Sequence, residues 1–313
     1  DDDFAAARNH ALGLATGQWV LYIDADEELA VDADVGRSLL AGAQDVVAAT
    51  IWFRTHPNFS PYREYRLWRH RDDIRFVGRI HETVVPDILA VVEREGMSVV
   101  EVDEFRLTHH GYTGDQTAKH RRNLPILERR VEEYPDRCYL WDHLATVRTA
   151  LGDRDGALEA WETGVGLIRA RGLRDRPDVL VYGGLATRLI NDGVDASDLI
   201  AEAREVMPDY RTLDWLEASN EIRQGRRESA VEPLERLIAT GPDSLDPSLA
   251  YHNGMFTDWA WSALGEVYLE LGDVAAAARV FRDASAIRPD DRELRTKAAA
   301  LTARVRRSSA PPG

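Results

Sequence analysis

Five apolar residues, Trp19-Val20-Leu21-Tyr22-Ile23, run without a break into Asp24-Ala25-Asp26-Glu27-Glu28. A β-branched and aromatic run of this length reads as a short strand buried on both faces. The four carboxylates that follow cannot continue into a core, where unpaired charge would cost several kcal/mol or more. The strand must therefore end where its carboxylates face water or hold a cation. In open α/β sheets the carboxyl ends of strands are where ligands gather, and an Asp-x-Asp pair at such a tip suits a hard divalent ion carrying a phosphate. These residues alone equally allow a solvated acidic turn. A calcium loop of the EF-hand kind is excluded, because its sixth position needs Gly and, counted from Asp24, holds Leu29.

The neighbouring stretches give the strand a setting. Phe4 to Thr16 reads as a helix, capped by Asp2 or Asp3 and stopped at Gly17. A second helix is expected from Val31 to Gln44 and a second strand from Val46 to Phe53. Tyr65 to His70 alternates as a strand with basic residues on one face, and Ile74 to Val77 resumes it in a hairpin-like way. Val99 to Val102 and Phe105 to Thr108 are two further short strands, ending at His109-His110-Gly111-Tyr112. The spacing thus predicts an α/β region over residues 1–115. A parallel sheet needs neighbours on both sides of a central strand. With Asp1 not preceded by Met, the chain reads as a fragment that begins inside this domain.

From about Gln116 the periodicity becomes helical. Trp261, Leu264, Gly265, Tyr268, Gly272, Ala277, Phe281, Ala284 and Pro289 stand at the bulky and small positions of a tetratricopeptide unit, two antiparallel helices packed through alternating large and small side chains. Trp141, Leu144, Ala145, Gly152, Ala157 and Trp161 repeat that spacing. A weaker copy contains Gly225, Ala230, Leu234 and Pro242, and another runs from Asp178 to Pro208. An all-α solenoid of about four hairpins is expected over residues 116–307, with a disordered Pro- and Ser-rich tail at 308–313.

Composition narrows the function classes. A net charge of −15 argues against non-specific binding to nucleic acid or anionic membrane. No apolar run approaches the ~20 residues of a membrane span. The single cysteine, Cys138, allows no internal disulfide and fits a reducing, cytoplasmic setting.

Asp24 and Asp26 are candidate ligands for Mg²⁺ or Mn²⁺ bridging a diphosphate. Glu82 is either a structural partner of Arg79 or Arg75 or a general base for an acceptor hydroxyl. His109 and His110 are either half-buried strand-end histidines or the source of a third metal ligand.

The run Ala7-Arg8-Asn9-His10-Ala11-Leu12, Ala15-Thr16-Gly17-Gln18 and Trp19 through Glu27 resembles the central motif of inverting family 2 glycosyltransferases with the GT-A fold. Tyr65-Arg66-Leu67-Trp68-Arg69, Gly78-Arg79-Ile80-His81-Glu82 and His109-His110-Gly111-Tyr112 are similar to further segments of one subgroup, in order. Lys119, Arg122, Asn123 and Leu127-Glu128 resemble members that carry C-terminal tetratricopeptide repeats. The resemblance implies a metal-dependent glycosyltransferase, with Asp24 and Asp26 on the metal and donor diphosphate. It implies that His109 completes the metal site, that Glu82 is the base, and that Arg8 and Asn9 shape the donor pocket. Its donor would be UDP- or GDP-linked. Its acceptor would be a glycan, peptide or protein, with a protein partner on the repeats. The rival reading is a non-catalytic repeat scaffold carrying a transferase remnant.

Overall fold

The structure is a computed structural model that describes residues 3–78, 82–111, 116–242 and 245–308. Arg79, Ile80, His81 and Tyr112 of the motifs above, and the expected disordered tail from residue 309 on, lie outside the described residues. The chain forms two compact units. The first is Asp1–Arg171 with Arg176–Asp178 and Pro247–Ala250; the second is Gly172–Asp175, Val179–Asp246 and Tyr251–Gly313.

In the first unit a five-stranded sheet carries the order β1-β4-β3-β5-β2, with β1 at Trp19–Leu21, β2 at Glu27–Ala30, β3 at Val46–Arg54, β4 at Tyr62–Arg69 and β5 at Ser98–His109. β3 and β5 are parallel and the other pairs antiparallel. The strand buried on both faces is β3, rather than β1. Val47, Ala48, Trp68, Ile74 and Phe76 pack with Ala5 and Leu12 of helix α1 (Phe4–Leu12) and Ile88 and Val91 of α3 (Val85–Glu95). Ala49, Ile51, Phe53, Leu67, Phe105 and Leu107 form a second cluster that includes Leu40 of α2 (Ala33–Gly42).

β1 lies at the sheet's edge, half-buried and only three residues long. With β4 on one side and no strand on the other among the described residues, apolarity alone does not extend it, and Ile23 is 39% exposed. The acidic run is also more than a strand tip. Glu27 to Ala30 alternates inward and outward, and pairs with the end of β5 as a strand of its own. The two short strands expected around Asp103-Glu104 are one strand, in which Ile51 opposes Val102 and Trp52 opposes Arg106, so the acidic residues sit in a bulge. The hairpin strand expected at Ile74–Val77 reduces to a single bridge between Val77 and Thr83. Helix α1 stops at Leu12, short of Thr16.

Helices α4 (Thr117–Glu133), α5 (Cys138–Ala150) and α6 (Arg154–Arg171) complete this unit. The second unit holds α7 (Leu180–Asn191), α8 (Ser197–Val206), α9 (Thr212–Arg223), α10 (Val231–Thr240), α11 (Asp258–Glu270), α12 (Val274–Ile287) and α13 (Arg292–Ser308). The pairs α5–α6, α7–α8, α9–α10 and α11–α12 are the four hairpins that the repeat spacing predicts. Each first helix ends at a glycine with positive φ, Gly152, Gly193, Gly225 and Gly272, a conformation that residues with a β-carbon rarely adopt. Where Gly265 crosses Phe281, an added β-carbon would stand 2.5 Å from the buried ring, so the small residue sets the helix spacing.

Candidate active site

The loop between β1 and β2 is the centre of the site. Tyr22 follows β1, and its amide donates to the Arg66 carbonyl of β4 at 2.9 Å. Its hydroxyl donates to Asp24 Oδ2 at 2.7 Å. Arg8, on α1, donates to both Asp24 oxygens at 2.8 and 3.2 Å, and its Nε donates to Glu82. Two expected residues, Asp24 and Glu82, are therefore bridged by a third, Arg8, although 74 positions separate Arg8 from Glu82. Burial pushes the Asp24 carboxyl up, but its bonds to Arg8 and Tyr22 outweigh that and hold it below the usual carboxylate range.

Asn9 takes a different place from the one expected. Its Nδ2 donates to the Phe76 carbonyl and its Oδ1 accepts from the Phe76 amide, each at 2.8 Å. Both ends of the side chain are thus spent on the backbone that leads to Gly78 and Glu82.

Asp26 stands apart from Asp24. Its Oδ2 is 3.2 Å from His109 Nε2, its side chain is 53% exposed, and its carbonyl accepts from the His110 amide at 2.8 Å. Gly111 makes room for it: a β-carbon at residue 111 would collide with Asp26 Oδ2. His110 reaches Glu28 instead, at 3.0 Å.

These placements bear on the metal that the sequence motif implies. Among the described residues, no group of three or more His, Cys, Asp or Glu side chains is placed to hold an ion. Asp24 does not fit as a ligand as it stands, since its oxygens are engaged by a cation and a phenol. Asp26 fits: it is open, meets no Arg or Lys among the described residues, and is seated where Gly111 leaves space. His109 fits beside it, with a condition. The Gly111 amide donates to Nδ1 at 3.1 Å, which leaves the proton on Nε2, facing Asp26. Coordination through Nε2 requires the other tautomer.

The sequence reading missed the residues beneath this loop. Glu27, 1% exposed in its side chain, accepts from the Asp24 amide at 2.7 Å and from Arg66 at 2.9 and 3.2 Å. Burial raises the Glu27 carboxyl, and the Asp24 amide and Arg66 pull it back in part. The Tyr22 ring has the Arg8 guanidinium 4.1 Å from its centre and that of Arg66 at 4.3 Å. Both guanidiniums thus stand against the Tyr22 ring. The signal for Arg66 was its place among basic residues on β4. Nothing in the spacing told its inward direction from that of its neighbours.

Residues 1–98 match the family described as Glycosyl transferase family 2, and residues 258–301 match Tetratricopeptide repeat. The chain thus matches a glycosyltransferase family near its start and a repeat family near its end. It is 30% identical over 250 residues to a TPR repeat-containing protein of Synechococcus elongatus, covering 77% of this chain and 62% of that protein. The chain therefore spans less than two thirds of that relative's length. Among solved structures it is similar to a thermophilic TPR protein of Thermus thermophilus, with 22% identity, a TM-score of 0.39 and coverage of 59% of this chain and 91% of the other. It is also similar to YrrB, a TPR protein with an unusual peptide-binding site, at 14% identity and a TM-score of 0.43, over 59% and 86% of the two chains. Arg8, Asp24 and Glu82 form one cluster at the loop that follows β1, and Asp26 meets His109 where β2 pairs with the end of β5. No described helix is long and apolar enough to cross a membrane.

Proposed function

We propose that this protein moves a sugar from a UDP- or GDP-linked donor to an acceptor hydroxyl or similar nucleophile, with inversion. The observation that carries the reading is that Arg8, Asp24 and Glu82, from three separated segments, meet at one point, while Asp26, two residues along the same loop, faces His109. A divalent cation, Mn²⁺ or Mg²⁺, when bound, offsets charge developing on the leaving diphosphate. Asp26 and His109 are the residues that would hold it. Asp24 anchors Arg8, and Arg8 orients Glu82, which takes the acceptor's proton. Asn9 pins the Phe76 backbone that leads to Glu82. The repeats hold the acceptor, a glycan, peptide or protein, or a protein partner, and the work is done in the cytoplasm.

The test is turnover of UDP- and GDP-sugars with Mn²⁺, followed as release of nucleoside diphosphate. Glu82→Gln is expected to lower kcat by about 10²–10⁴, the usual weight of a general base, with donor affinity within about threefold. Unchanged kcat in that variant would remove Glu82 from the role. The rival reading, a repeat scaffold with an inert transferase remnant, is supported by the relative's name alone and predicts no turnover in any form.

A further inference from the structure

The acidic loop is held by a polar stack that reaches into the sheet. Arg66, on β4 and 7% exposed in its side chain, donates through Nη1 and Nη2 to Glu27 at 3.2 and 2.9 Å and through Nε to Glu64 at 2.6 Å. The flat of its guanidinium lies 4.3 Å from the Tyr22 ring centre and 4.5 Å from that of Phe53. Its edge thus holds two carboxylates and its faces two rings. Two of these contacts, with Glu27 and Tyr22, lead toward the loop. Glu27 accepts from the Asp24 amide at 2.7 Å, while its own amide donates to the Asp24 carbonyl at 3.1 Å. Tyr22 donates to the Asp24 carboxylate at 2.7 Å. On the far side the Asp26 carbonyl accepts from the His110 amide at 2.8 Å. Asp24 is therefore fastened by Glu27, Tyr22 and Arg8, and Asp26 through the His110 amide, and Arg66 touches both Glu27 and Tyr22.

We propose that Arg66 is the positioning residue of this loop, acting through Glu27 and Tyr22 to fix where Asp26 stands when it receives a divalent cation and the diphosphate of a nucleotide-sugar. The inference rests on the transferase reading given above. A buried ion pair such as Arg66–Glu27 is seldom worth more stability than an apolar pair of the same shape. A fixed position for the loop is what the pair supplies, and a misplacement of about 1 Å at a reacting centre can cost about 10²-fold. Lysine would keep the charge at residue 66 but lose the planar fork that holds two carboxylates at once.

The test uses the whole chain and the double variant Arg66→Met with Glu27→Gln, which removes both charges while leaving an amide oxygen for the Asp24 amide. Hydrogen exchange by NMR is read at the Asp24 and His110 amides and at core amides such as Ala49. Titration of Mn²⁺ with UDP, and with GDP, is read by calorimetry. The expected result is at least tenfold faster exchange at Asp24 and His110, unchanged exchange at Ala49, and Mn²⁺-dependent nucleotide binding weakened at least tenfold. Arg66→Lys gives the same pattern at smaller size and serves should the double variant not fold. Wild-type exchange at Asp24 and His110, or acceleration of all sheet amides alike, overturns the proposal. If those two amides loosen but the unaltered protein binds neither nucleotide with Mn²⁺, the transferase reading fails while the clamp on the loop stands.

Discussion

At the scale of single residues, Asp24 and Asp26 look alike in the sequence and differ in the structure. Asp24 is neutralised by Arg8 and bonded to Tyr22, whereas Asp26 is open and faces His109. Gly111 makes the second arrangement possible. Gly111→Ala would drive a β-carbon into Asp26 Oδ2. The clash is with two side chains, Asp26 and, at 2.8 Å, His109 Cε1, so both must turn aside while no backbone atom stands in the way. The expected outcome is a melting midpoint within about 2 °C of the unaltered protein, corresponding to well under 1 kcal/mol. The Mn²⁺-induced rise in that midpoint is lost, which differential scanning fluorimetry reads directly. The residues themselves offered Asp24, Asp26, Glu82 and one of His109 and His110 as candidates, and the family resemblance singled out His109 and added Arg8. Neither could assign Asp24 and Asp26 to different partners, because those partners are 16 positions away in one case and 83 in the other. In the sequence Glu27 is one of four carboxylates that face water or hold a cation. Its burial follows only from strand β2, whose alternation turns it inward onto Arg66.

Among the elements, the helical hairpins were the most legible, since their pattern is local. Bulky and small positions repeat within about 34 residues, and the turn glycines stand where the backbone needs them. The sheet was less legible because its partners are distant in sequence. β1 has the most strand-like composition but sits at the edge, and β3 takes the centre because β4 and β5 flank it. Two predictions belong at this scale. Gly265→Ala gains about 1 kcal/mol of helix propensity but drives a β-carbon to 2.5 Å from the buried Phe281 ring. Overpacking a rigid core costs about 1–3 kcal/mol, so the net change is destabilising, and urea unfolding measures it. The other concerns Asp142 of α5, which accepts from Trp161 Nε1 of α6 at 3.0 Å. Burial pushes its carboxyl up to about 6, with the Trp161 bond pulling the other way. The unfolded value is about 3.9. A carboxyl raised on folding contributes its full stability below about pH 4 and loses it as pH rises through about 6. Asp142→Asn keeps an acceptor for Trp161. It should add about 1–2 kcal/mol at pH 7–8 and nothing at pH 4, and thermal unfolding against pH reads the difference. A gain equal at both pH values would contradict the assignment.

For the whole molecule, the first unit holds the sheet, the polar site and the hairpin α5–α6, and the second holds the other three hairpins. The net charge of −15 matters here. An acidic chain repels a diphosphate, so the nucleotide-sugar donor proposed above would need a divalent cation at the acidic loop to offset that repulsion. The most direct measurement of the central claim is a calorimetric titration of UDP and of GDP, with and without Mn²⁺, into the intact chain and into Asp26→Ala. The account predicts nucleotide binding that requires Mn²⁺ and weakens at least tenfold in Asp26→Ala. Binding that ignores both the cation and Asp26, or no binding of either nucleotide, would contradict it.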